Sequence, residues 1–250
     1  MRTVLVIGAN RGIGLELIRT FAANGWRTIG SVRPQAMLEN DPSVSELRET
    51  NSEIIEIDYE KEGTIVAAAK TLGGTKLDVL VNCAGIKPRP LEWDAHQQDD
   101  LMERFRVMPV GYFLASKHFI GHLSAGNGGK IINISSGSAS IGAPDHDGES
   151  VGYRMAKAAV NAQTKTLAID FKTAGLPVTT MAIHPGFIKT RLTGFRGTVD
   201  IKESSNGMYR LIEGLTPETS GSFYSWNGYK SIGVHLRYTE ATLGGDMIFP

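Results

Sequence analysis

The sequence is poor in cysteine, shows no excess of either charge and has no long apolar run. Cys83 is its only cysteine, so no internal disulfide can form, which fits a reducing compartment. Lys and Arg number 26, Asp and Glu also 26, and the formal net charge is zero. That balance argues against a broad nucleic-acid surface but leaves room for a local basic pocket. The apolar start "TVLVIG" is too short for a signal-peptide core or a membrane span, and it leads straight into a glycine loop. No charge run, low-complexity tract, repeat or linker-like stretch divides the 250 residues. The expectations are a cytoplasmic protein of one domain, residues 1–250, with no nucleic-acid or membrane partner.

What the chain does have is alternation. Short apolar runs at Thr3–Ile7, Arg27–Ser31, Glu53–Ile57, Val79–Asn82, Lys130–Ile134, Val178–Ile183 and Gly221–Trp226 read as strands. Several, such as "TVLVI" and "KIINI", are apolar throughout, as expected of strands covered on both faces. Amphipathic stretches at Gly12–Asn24, Glu60–Leu72, Asp100–Leu123, Gly152–Ala174 and Glu203–Leu215 read as helices between them. Strand–helix alternation of this kind predicts an α/β fold, a doubly wound parallel sheet of about seven strands.

The first strand ends in "GANRGIG", with glycines at 8, 12 and 14. Glycines there allow a tight turn and close approach of a phosphate, and the following helix offers free N–H groups and the positive end of its dipole. Gly8, Asn10, Arg11, Gly12, Ile13 and Gly14 are therefore the candidate dinucleotide cradle. A ribose 2′-hydroxyl calls for an acid near the end of the second strand. That stretch reads "TIGSVRPQ", with Arg33 and no acid, and Arg11 lies in the loop itself. Guanidinium groups suit a 2′-phosphate, so NADP(H) is the expected cofactor.

"GYRMAK" places Tyr153 and Lys157 one helical turn apart. Spacing alone is equally compatible with a solvated polar pair. The context changes this: "NCAG" (82–85), "INISS" (132–136) and "HPGFIKT" (184–190) follow successive strands. With the glycine loop and "YRMAK", these motifs resemble the short-chain dehydrogenase/reductase family, through about Ile232. The late "GSFYSWNG" resembles in particular its C-factor-like carbonyl reductase branch.

The resemblance implies a Rossmann fold with strand order 3-2-1-4-5-6-7, a nicotinamide cofactor and a homodimer or homotetramer. It implies adenine contacts from Asp58 and Tyr59, and ribose contacts from Asn82, Ala84 and Gly85. Pro185, Gly186, Ile188 and Thr190 would hold the nicotinamide half. Tyr153 would be the acid/base, with Lys157 lowering its pKa and binding ribose. The chemistry is consistent: a carbonyl taking up hydride needs a proton and donors aimed at its oxygen. Free tyrosine is a reluctant base near neutrality, and a nearby ammonium favours its anion.

A serine should complete the oxyanion site. Ser136, at the strand end, is preferred; it lies seventeen residues before Tyr153, whereas about thirteen is usual for the resembled family. Ser140 has that usual spacing, and it remains an alternative with Ser138. A second departure is "FRVMPVG". The family usually has asparagine three residues before this glycine, helping to hold a water that relays protons to the lysine. Met108 stands there instead, followed by Pro109. Methionine sulfur is only a weak acceptor.

The expected activity is NADPH-dependent reduction of a carbonyl to an alcohol. The alternatives are a cyclase or isomerase with weak redox turnover, and a dinucleotide-sensing regulator. The segment 187–215, with Phe195, Met208, Tyr209 and Leu211 among Arg191, Arg196 and Lys202, is expected to cover a medium-sized, partly apolar substrate. Asp145, His146, Asp147 and Glu149 are read as a polar loop, and no metal is expected.

Overall fold

Seven parallel strands lie in the order β3-β2-β1-β4-β5-β6-β7 in the computed structural model, which describes residues 1–87, 90–126, 128–142 and 150–230. They are β1 (Thr3–Ile7), β2 (Arg27–Val32), β3 (Glu53–Glu56), β4 (Val79–Asn82), β5 (Gly129–Ile134), β6 (Val178–His184) and β7 (Ser222–Ser225). The helices are α1 (Gly12–Ala23), α2 (Pro34–Leu38), α3 (Pro42–Arg48), α4 (Glu62–Leu72), α5 (Gln98–Phe105), α6 (Gly111–Ser124), α7 (Val151–Thr173) and α8 (Ile201–Glu213). This is the Rossmann-type order that the family resemblance implies. The acidic stretch Asp145, His146, Asp147 and Glu149, and the tail beyond Lys230, lie outside the described residues.

The pleat of the central strands divides the core in two. Leu5 and Ile7 of β1 point to one face, with Tyr112, Phe119 and Val160 of α6 and α7. Val4 and Val6 point to the other, with Leu17, Phe21 and Met208 of α1 and α8. Each buried Leu or Ile contributes about 1.5–3 kcal/mol relative to exposure, so a one-residue slip of β1 would be strongly resisted. Its register is fixed on both sides, with Val4 beside Thr28 and Val79. The strands run parallel, so their C-terminal ends share one edge. Gly8, Cys83, Ser135 and Pro185 all follow strands there.

Two local departures from expectation have clear causes. The chain after β2 forms two short helices rather than loop. Each starts with a proline in its first turn, where the missing N–H costs nothing, and Asp41 caps the second by accepting from Ser43 N. The helix expected over Asp100–Leu123 is instead α5, a widened π-helical turn at Arg106–Val110, and α6. Pro109 sits inside that turn; it lacks an N–H and its ring crowds the preceding turn. Gln163 of α7 completes the break: assigned by its surroundings, its amide N–H faces Pro109 O at 2.8 Å as donor and its amide O faces Phe113 N at 2.9 Å as acceptor.

Candidate active site

The β1 side of the strand edge is shaped by missing side chains. Gly8 has φ +86°, and a Cβ there would lie 2.7 Å from the Ala84 Cβ. A Cβ on Gly14 would lie 2.1 Å from Gly8 O. Both distances exclude a real side chain, so the loop can exist only with glycine at these positions. α1 then begins without a side-chain cap and with no acid in its first turn. An uncapped N-terminus over a glycine cradle fits a phosphate group, so the residues present are those a dinucleotide needs.

The side chains around this cradle are placed unevenly. Arg11 and Arg33 are exposed, and Ile13 packs on the core. Asn10 turns aside, donating through Nδ2 to Ser43 Oγ at 2.7 Å. The structure also brings an acid close to Arg11, where none was expected. Asp41 accepts from Ser43 N at 2.9 Å and Ser43 Oγ at 2.7 Å. Those hydrogen bonds hold its carboxyl below the usual range, and the charges of Arg11 and Arg191 lower it further. The signal was present in "NDPS", an Asp followed by Pro and Ser, but it lies eight residues beyond Arg33. Only the α2–α3 fold-back brings it close to Arg11.

Along the next strands, the expected positions divide into surface and core. Asp58 is half-buried, and its carboxylate accepts from Glu60 N at 3.1 Å. Tyr59 and Asn82 are buried: Tyr59 Oη donates to Asn82 Oδ1 at 2.7 Å, and Asn82 Nδ2 donates to Asn133 Oδ1 at 2.8 Å. Their side chains therefore tie β4 to its neighbours, and any contact they offer a cofactor passes through backbone. Ala84 and Gly85 come to the surface beside the cradle. Pro185 accepts from Ser204 Oγ at 2.6 Å, Gly186 lies against Trp226, and Ile188 is buried. Thr190 reaches back across the groove, its methyl 3.7 Å from where a Gly12 Cβ would sit.

The β5 side is built by side chains that burial makes chemically unusual. Ser136 follows β5, and its hydroxyl lies close enough to the Tyr153 phenol to lower the phenol's pKa. It also accepts from Ser138 N at 3.1 Å. Of the three candidate serines, Ser136 is the one that acts on the Tyr153 phenol electrostatically. Ser138 supports it through backbone, and Ser140 is buried beyond the short turn. Burial pushes Tyr153 up to about 12, and the neighbouring Ser136 hydroxyl opposes that rise. Lys157 is 3% exposed. Burial pushes it down to about 8, with the nearby Cys83 opposing the fall. Its Nζ donates to Ile134 O at 2.6 Å and to Tyr112 Oη at 3.4 Å. The Tyr153 ring centroid is 5.9 Å from Nζ. A proton donor, a hydroxyl beside it and a buried cation one turn away can protonate and stabilise an oxygen that gains negative charge.

Sequence reasoning missed Tyr112 here. It is fully buried, and its hydroxyl lies within reach of the lysine. Among the described residues, no cluster of His, Cys, Asp and Glu could hold a metal ion, and no helix is long and apolar enough to cross a membrane.

Comparison with known proteins places this arrangement. A family model described as short chain dehydrogenase matches residues 2–198. C-signal of Myxococcus xanthus is 30% identical over 152 residues, 61% of this chain and 90% of that protein. The NADPH-bound carbonyl reductase from chicken fatty liver superposes with a TM-score of 0.79 at 28% identity, over 92% of this chain and 98% of that one. The carbonyl reductase Sniffer of D. melanogaster gives 0.80 at 25% identity, with coverages of 92% and 98%.

Proposed function

The chain belongs to the short chain dehydrogenase family, and from that premise we propose that it is an NADPH-dependent reductase of aldehydes or ketones. The observation that carries this reading is the buried Lys157 ammonium, anchored on Ile134 O and 5.9 Å from the Tyr153 ring centroid, at the same sheet edge as the glycine cradle. A bound nicotinamide cofactor supplies the hydride that adds to the carbonyl carbon. The C=O π pair moves to oxygen, where the Ser136 hydroxyl donates a hydrogen bond. Tyr153 Oη delivers the proton and is left as tyrosinate, which Lys157 stabilises until solvent restores the proton. With Tyr153 raised and Lys157 lowered, the acid stays protonated at neutral pH while the cation titrates first.

The cradle Gly8–Gly14, with Arg11 and Arg33 for a 2′-phosphate, is the proposed cofactor-binding half. Ala84, Gly85, Asp58 and the Pro185–Thr190 turn complete it, with Tyr59 and Asn82 contributing backbone. Exposed Phe187 and Phe195 fit a partly apolar substrate. Exposed Val110, Phe113 and Ile169 on or beside α6 and α7 fit a homodimer or homotetramer. A cytoplasmic location suits the single free thiol.

The test is NADPH oxidation against aldehydes, ketones and quinones, with NADH as second donor and cofactor binding titrated in parallel. Tyr153→Phe is expected to lower turnover by roughly 10²–10⁴-fold, leaving NADPH affinity within about threefold. A second reading, a non-redox cyclase or isomerase, draws on Met108, a buried thioether in place of a polar side chain. Tight NADPH binding without oxidation across a broad panel would favour it.

A further inference from the structure

Position 108 offers the lysine no polar side chain. Met108 is fully buried, and its sulfur packs 3.9 Å from where a Gly85 Cβ would lie. The residue four positions on makes good the loss. Tyr112, in the first turn of α6, is also fully buried. Its Oη lies 3.0 Å from Ala84 O, 3.4 Å from Ile134 O and 3.4 Å from Lys157 Nζ. A phenol has one proton, and the nearer carbonyl is Ala84. The hydroxyl therefore donates to Ala84 O and keeps a lone pair for the ammonium. The Tyr112 ring centroid is 5.3 Å from Nζ, farther than the hydroxyl, so the contact runs through oxygen and not through the ring face.

The surroundings hold this phenol still. The Tyr59 ring lies 5.4 Å from the Tyr112 ring. A Cβ on Gly111 would come within 2.5 Å of Tyr59, so α6 is pressed as close as backbone allows. The widened turn before α6 is fixed to α7 by Gln163, six residues beyond Lys157 on the same helix. Burial keeps Tyr112 neutral, raising its pKa well above the ordinary value. It can accept from an ammonium at any pH where the fold survives.

We infer that Tyr112 is a positioning residue for Lys157. It fixes the ammonium beside Tyr153 and links it to the Ala84 carbonyl of the proposed cofactor loop, in the place of a polar side chain at position 108. This rests on the proposed reductase reading. The groups facing the ammonium are Tyr112 from α6, Cys83 from the end of β4 and Tyr153 from its own helix, with Tyr59 behind Tyr112. Among the described residues no carboxylate faces the ammonium, so the acceptors on Ile134 and Tyr112 carry the charge.

The experiment is Tyr112→Phe, which keeps the ring and removes one oxygen. In cofactor-free protein carrying ¹³Cε-lysine, the Lys157 resonance is assigned by its loss in Lys157→Gln and titrated by NMR. Wild type should titrate at about 8, and the variant about one unit lower, because the charged form has lost an acceptor. The alkaline limb of kcat should move down with it, with roughly a tenfold loss of kcat at the wild-type midpoint and little change in substrate KM. A general loosening of the fold would lower activity at every pH without moving the limb. If Tyr112→Phe does not fold, 3-fluorotyrosine at position 112, a weaker acceptor, should shift the resonance in the same direction by less. An unchanged Lys157 titration in the substituted protein overturns the proposal. The NMR arm needs no turnover: a shifted titration in a protein that oxidises no NADPH would sink the reductase reading alone.

Discussion

On the β1 side of the cleft, Gly8 and Gly14 work by having no side chain. On the β5 side, Tyr153, Lys157 and Tyr112 work by having polar side chains that a core ordinarily rejects. The first half is made of backbone in van der Waals contact, with a Cβ position only 2.1 Å from a carbonyl oxygen. The second is made of buried charge and hydroxyls, with a lysine lowered to about 8 beside a tyrosine raised to about 12. A backbone cradle tolerates no addition, whereas a buried polar cluster loses its function with a partner but need not lose stability. Substitutions should therefore separate the two halves by opposite rules.

The largest effect is expected from the cradle. Gly14→Ala must displace Gly8 O, which is backbone and cannot rotate away. The cost should be about 3 kcal/mol of stability, read as a lower urea midpoint, with NADPH affinity reduced at least roughly 100-fold by fluorescence titration. The Lys157 titration should stay at its wild-type value, because the catalytic cluster hangs from β5 and α7. Affinity within threefold of wild type would mean that the cradle adapts, and the comparison would fail on its first side.

The lysine makes the opposite case, in which losing a functional group stabilises the fold. Its pKa falls from 10.5 to about 8 on folding. Below about pH 8 the native state bears the full cost of a buried ammonium. From there to 10.5 the unfolded chain binds more protons, so stability rises with pH, and above 10.5 the cost is gone. Tyr153 acts in reverse, with stability falling as pH rises from 10.0 to about 12. Lys157→Met should therefore be more stable than wild type by about 2–3 kcal/mol at pH 7, and its advantage should vanish by about pH 10.5. Thermal unfolding across pH measures this. A constant difference at all pH values would mean that packing, and not charge, separates the two proteins.

What the sequence reveals follows the same division. The succession of strands and helices, the glycine loop and the Tyr153–Lys157 spacing were legible because each is local: a period, a turn or one helical step. The order of strands in the sheet came only with the family resemblance. Ser136 was preferred over Ser140 for its place at a strand end, which is likewise a local feature. Tyr112 and Asp41 were not legible as site residues, since each acts across a contact that sequence distance hides. Tyr112 reaches Lys157 over 45 residues, and Asp41 approaches Arg11 only after two short helices reverse the chain. Pro109 was visible, but its consequence was not. A break in a helix can be read from proline, whereas the amide that repairs it lies 54 residues away on α7.

That repair gives an intermediate prediction. Gln163→Leu keeps the volume of the side chain but leaves Pro109 O and Phe113 N without their partner. A stability loss of about 1–3 kcal/mol is expected, with Tyr153-dependent turnover reduced more at the widened turn than cofactor binding at the cradle. Gln163→Glu separates the two contacts, since a carboxylate can accept from Phe113 N but cannot donate to Pro109 O. It should lie between Leu and wild type in unfolding midpoint. Equal losses in binding and turnover would show that the turn supports both halves alike.

The smallest effects belong to the rim, where solvent screens charge. Arg33 is exposed, so Arg33→Ala should weaken NADPH binding by only about three- to tenfold and leave NADH unchanged, with the difference shrinking at high salt. Asp41 should act in the other direction. Its carboxylate is ionised at neutral pH and lies near Arg11 and Arg191, where it competes with a 2′-phosphate for their charge. Asp41→Asn keeps an oxygen to accept from Ser43 N, so the start of α3 is retained. NADPH affinity should then rise about two- to threefold relative to NADH. Opposite signs at Arg33 and Asp41 would place the 2′-phosphate between α1 and α3. A loss of NADH affinity with Asp41→Asn would instead make Asp41 a ribose acceptor and reverse the cofactor preference assigned to the arginines.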